Sequence, residues 1–113
     1  MEKIHTQITA ICHRRGVSAA TVVLNRDAPA LCDPTLTETV ENGAAKLGLS
    51  SLRMVSRAYH DALFMAQISP TALIFIPCRD GVSHRPDEFA SAEAITSGTR
   101  LLAEVLQELA GEV

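Results

Sequence analysis

The run from Thr71 to Pro77, TALIFIP, constrains this chain more than any other stretch. It is continuously apolar, carries β-branched and aromatic residues at its centre, and is far too short to cross a membrane. A segment of this length and composition reads as a strand covered on both faces, the kind that sits inside a parallel sheet. Such a strand needs paired neighbours and covering helices, so the rest of the chain is expected to provide an α/β surrounding.

The flanking segments supply that pattern. Ile4, Ile8, Ile11 and Cys12 recur at helical spacing, with Glu2 near the start, Arg14 and Arg15 at the end and Gly16 as a stop, which predicts a helix over 2–15. Residues 17–26, VSAATVVLNR, are rich in β-branched types and predict a strand, followed by the connection DAPALCDP. Asp33 is a good N-cap before Pro34, and Leu36, Val40, Ala44 and Leu47 form one apolar stripe, which predicts a helix over 34–47. A short extended piece from Leu52 to Val55 leads into a short third helix that ends at Ser69-Pro70. Ser91 caps a final helix whose expected buried face is Ile95, Leu102, Val105, Leu106 and Leu109. The first helix and strand are separated from the rest by a polar connection, and two elements cannot make a core. The chain is therefore expected to be part of something larger.

Composition removes several functions. At 113 residues, 47% hydrophobic and 20% charged, the chain is globular and the size of one domain. Its formal net charge of -3 offers no basic face to nucleic acid. Cys12, Cys32 and Cys78 are irregularly spaced and fit free thiols in a reducing compartment, so a cytoplasmic location is expected. The start MEKIHTQI is too polar for a signal-peptide core.

The candidate chemistry lies in two loops. In GVSHRPDEF, His84 stands just past the carboxyl end of the expected core strand, where open α/β sheets bind ligands. Spacing alone leaves it either a metal ligand or a solvated loop histidine. If it binds metal, Asp87 or Glu88 is near enough in the chain to hold its other ring nitrogen, while a solvated charge is the plain reading of Glu88. In Tyr59-His60-Asp61, an imidazole and a carboxylate open the third helix, and either substrate binding or simple capping by Asp61 fits. Cys78 reads as a small apolar filler.

At these loops the chain resembles the metal-dependent N-carbamoyl-L-amino-acid hydrolase and allantoate amidohydrolase family, relatives of the dinuclear zinc aminoacylases and carboxypeptidases. The similarity runs through Ser56, Ala58, His60, Asp61, Ala62, Ala66, Pro70, Thr71, Ile74, Phe75, Pro77, Gly81, Ser83, His84, Pro86 and Glu88. The resemblance implies that the chain is the carboxyl-terminal portion of such an enzyme, with residues 1–28 closing a lid or dimerisation domain as a helix plus strand and 33–113 completing the catalytic α/β domain. It implies that His84 is the last protein ligand of a two-zinc centre, with manganese, cobalt or nickel as substitutes, that His60 and Asp61 bind substrate, and that Glu88 supports the ligand from behind. The substrates implied are N-carbamoyl amino acids, allantoate or similar small amides, cleaved at a C–N bond. The family's other metal ligands and its catalytic carboxylate are not in this stretch, so the chain alone is expected to be inactive and to hold no stable metal. A homodimer or strand-paired oligomer is expected, without membrane or nucleic-acid partners. The competing readings are a degenerate fragment serving as an interaction module or without function, and a small metal-binding protein built on His60, Asp61 and His84. Arg57 and Tyr59 stand where the family has glycine and threaten to narrow the cleft, and Arg85 adds a cation after the ligand position.

Overall fold

The computed structural model describes residues 1–111 and contains, in chain order, α1 (Glu2–Arg15), α2 (Pro34–Lys46), α3 (Ala62–Met65), a 3-10 turn at Arg79–Gly81, and α4 (Ala92–Ala110). The helix boundaries follow from their caps. Gly16 closes α1 in the left-handed region at φ 63°. The Asp33 carboxylate accepts from the Leu36 N–H at 2.9 Å with Pro34 in the first turn, and the Ser91 hydroxyl accepts from the Ala94 N–H at 3.2 Å.

No β-strand forms among the described residues, which overturns the α/β expectation, the lid strand at 17–26 and the core strand at 71–77 together. The physical reason is pairing. A strand exists through the ladder it makes with a neighbour, and β-propensity describes fit to a pleated surface without supplying that neighbour. Around the 71–77 run, main-chain bonds occur near its ends: the Asp33 N–H donates to the Thr71 carbonyl at 2.8 Å, and the Arg79 N–H donates to the Phe89 carbonyl at 2.8 Å.

The same run is not covered on both faces. Ala72, Ile74 and Ile76 are half-buried, whereas Leu73, Phe75 and Pro77 alternate with them and are exposed. The inward face lies on α4, where Ile74 joins the core of Ala44, Leu101 and Val105, and where Ile76 lies over Gly98. Val40, Leu47 and Leu49 complete this cluster from α2 and the turn after it.

Helices α2 and α4 are the one pair of helices that pack on each other among the described residues. The α2 stripe Leu36, Val40, Ala44 and Leu47 turns inward as its spacing requires. Of the expected α4 face, Val105 alone does so. Leu101 and Val105 are buried, but Ile95, Leu102, Leu106 and Leu109 are each about half exposed. Apolar residues on α4 occupy two stripes, and α2 covers the one in which Gly98, Leu101 and Val105 follow each other at helical spacing.

Helix α1 buries none of its residues. The chain accordingly has a radius of gyration of 19.9 Å and extents of 65 × 34 × 20 Å. A compact domain of this length would have a radius of about 13 Å.

Candidate functional site

The loop after the 71–77 run is built from short-range ties. The Arg79 guanidinium lies 4.5 Å above the Phe89 ring, reinforcing the main-chain bond between the same two residues. Between these anchors Asp80 and His84 both adopt positive φ, 54° and 58°. For a residue with a Cβ this conformation costs on the order of 1–2 kcal/mol, and it persists where surrounding contacts impose it. At His84 the contact is Glu88, whose Oε2 accepts from the His84 main-chain N–H at 2.8 Å. Glu88 thus touches the backbone of His84. The His84 side chain is exposed. Arg85 forms a two-pronged pair with Asp87, Nε to Oδ1 at 2.9 Å and the terminal nitrogen to Oδ2 at 2.7 Å, so the extra cation beside His84 is matched by a carboxylate two residues on.

The second loop, residues 56–61, packs against the exposed side of the apolar run. The His60 ring lies 5.5 Å from the Phe75 ring, tilted by 60°, and is half-buried. Its Nε2 is 2.6 Å from the Ser56 Oγ. Asp61 is exposed and begins α3 without a side-chain capping bond, so the capping role open to it is not taken up. With four residues, α3 also brings little dipole to this loop. Tyr59, one of the bulky replacements for glycine, reaches sideways: its hydroxyl donates to the Asp27 carboxylate and accepts from the Asn25 amide at 3.0 Å. It ties the connection before α2 to the His60 loop.

Among the described residues, no three His, Cys, Asp or Glu side chains gather where they could hold a metal ion. His60 and Asp61 are adjacent, and Glu88 meets the backbone of His84, but His60, Asp61 and His84 do not form a donor set. These residues by themselves do not fit a resident metal. Cys12, Cys32 and Cys78 are free thiols. No helix of the described residues is long and apolar enough to cross a membrane. Ser56 and Phe75 were visible in the sequence as matched positions, but their contacts with His60 were not; the four-residue step from Ser56 to His60 is the one signal that hints at the first.

The sequence profile of the peptidase family M20/M25/M40 matches residues 3–108, and the chain belongs to that family. It is 44% identical over 110 residues to the ureidoglycolate hydrolase of Oryza sativa subsp. japonica. It is 37% identical over 108 residues to the N-carbamoyl-L-amino-acid amidohydrolase of Rhizobium meliloti, and 34% identical over 114 residues to the allantoate amidohydrolase of Bacillus subtilis. These alignments cover 96%, 96% and 97% of this chain but 23%, 26% and 28% of the relatives. The crystal structure of AtUAH in complex with (S)-hydroxyglycine matches with a TM-score of 0.81 at 41% identity, covering 96% of this chain and 26% of that one. The chain thus spans about a quarter of the length of the relatives it matches, in their carboxyl-terminal part. The family resemblance carried by the two loops is borne out. The family is generally metal-dependent.

Proposed function

We propose that this chain is the carboxyl-terminal part of an amidohydrolase that cleaves a C–N bond in a small ureido or amide acid, such as ureidoglycolate, an N-carbamoyl amino acid or allantoate. One observation carries the reading: identity of 44% to a ureidoglycolate hydrolase extends over 96% of the chain and includes both candidate loops. In this reading His84 contributes one imidazole to a zinc centre, with manganese, cobalt or nickel as alternatives. Glu88 holds the His84 backbone in the conformation that aims the ring outward, and His60 with Asp61 binds polar groups of the substrate. Residues 1–28 belong to a lid and dimerisation part, and 33–113 to the catalytic part. A homodimer of a cytoplasmic protein is the assembly this reading favours.

The test is a segment exchange. Residues 3–108 replace the matching stretch of the rice enzyme, and hydrolysis of ureidoglycolate is measured. The expected result is metal-dependent turnover that His84→Ala lowers by at least about 100-fold, the scale of lost ligand geometry. The 113-residue chain alone is expected to show no turnover above its His84→Ala variant. An exchange protein that folds, binds metal and is as active with His84→Ala as without it overturns the assignment. In that case an interaction module is the reading to pursue.

A further inference from the structure

We infer that Ser56 is a positioning residue that selects the ring nitrogen His60 offers to a ligand. The inference rests on the reading of His60 as substrate-binding and adds how its imidazole is set. Three observations bear on it. The Ser56 Oγ lies 2.6 Å from His60 Nε2, the Ala58 main-chain N–H donates to the same Oγ at 3.3 Å, and the His60 ring leans on Phe75 at 5.5 Å. The aromatic contact and the hydroxyl together fix the plane and rotation of the ring. With Nε2 occupied, Nδ1 is the nitrogen left to meet a ligand.

With one lone pair taken by the Ala58 N–H, we assign the hydroxyl as the donor to His60 Nε2, one of the two directions that the contact permits. An imidazole that accepts at Nε2 carries its proton on Nδ1. Neutral imidazole in water prefers the opposite form, with the proton on Nε2, so Ser56 works against the ordinary preference. The consequence is a neutral hydrogen-bond donor, Nδ1–H, suited to a carbonyl or carboxylate oxygen of a small amide acid. A histidine presenting a bare Nδ1 would instead accept from an amide N–H. Ser56 therefore decides which end of the substrate this loop can hold.

Two-bond and three-bond nitrogen–proton correlations on the 113-residue chain, at a pH where His60 is neutral, read the tautomer directly. The Nδ1–H form is expected to predominate, the reverse of the order in free imidazole. Ser56→Ala is expected to return His60 to the Nε2–H form, and Ser56→Thr, which keeps a hydroxyl, to retain Nδ1–H. Amide signals of α2 and α4 serve as the folding control. A wild-type chain in the Nε2–H form overturns the inference without any variant, as does a tautomer ratio identical in wild type and a folded Ser56→Ala. Because no substrate enters this measurement, its failure is separable from that of the segment exchange, which reads turnover and its dependence on His84.

Discussion

His84 holds the most informative conformation in the chain. A histidine at φ 58° gains nothing for stability from its side chain, which is exposed, and is kept there by the Glu88 carboxylate on its N–H. Glycine adopts this region freely, so His84→Gly is expected to stabilise the chain by up to about 1 kcal/mol in urea unfolding while abolishing turnover in the segment exchange. A loss of stability in that variant would mean that the His84 ring is part of the packing. At this scale the sequence was informative about identity and silent about direction. His60, Asp61, His84 and Glu88 could be picked out by their order in the motifs. That Glu88 grips a main-chain N–H, that Tyr59 turns away toward Asn25 and Asp27, and that Ser56 meets a ring nitrogen all depend on loop dihedrals that no periodicity encodes.

Helix ends were legible because capping is local. Asp33, Pro34, Ser91 and Gly16 act within a few residues of themselves, and each does what its chemistry dictates. Strands were not, because residues 17–26 and 71–77 carry the right side chains and lack a partner ladder. The α4 face was misjudged for a related reason: with apolar residues on two sides, only the neighbour decides which stripe is inward, and Gly98 marks it. A Cβ at Gly98 would overlap Cγ2 of Ile76, a branched side chain with little freedom. Gly98→Ala is therefore expected to destabilise by about 1–3 kcal/mol, despite its gain in helix propensity. Gly43→Ala should cost less, since its new methyl would meet the end of Leu101 at 3.2 Å and Val105 at 3.4 Å, contacts that shifts of a few tenths of an ångström relieve. Equal melting temperatures for the two variants would contradict this packing. The exposed ion pairs add a weak pH dependence. The hydrogen bond from Arg53 holds the Glu41 carboxyl below its ordinary 4.5, so that stabilisation is complete above 4.5 and is lost as pH falls through the lowered value. Hydrogen bonds from Lys46 to Glu108 and then Glu104 raise the Lys46 value above 10.5, so that share is complete below 10.5 and is lost as pH rises through the raised value. Urea midpoints should be flat between these limits and decline beyond them, less steeply in high salt. Glu41→Gln should flatten the acid side; an unchanged acid limb would rule out the Arg53 pair as its source.

At the scale of the whole molecule, one small core between α2, α4 and the 71–77 run holds an elongated chain, and apolar side chains such as Val22, Leu24, Leu31, Leu52 and Val55 are at least 75% exposed. Surfaces of this kind associate. The chain is expected to sediment with concentration-dependent mass, and a single monomeric species over a hundredfold dilution range would speak against a dimeric assembly. The tie from Tyr59 to Asn25 and Asp27 has its own consequence. Between the end of α1 and the start of α2 the backbone runs exposed past Arg26, an open invitation to trypsin. A nick there would leave residues 1–26 tied to the rest by the single exposed hydrogen bond from Asn25 to the Tyr59 hydroxyl, too little to offset the entropy of release, so the amino-terminal piece is expected to drift away.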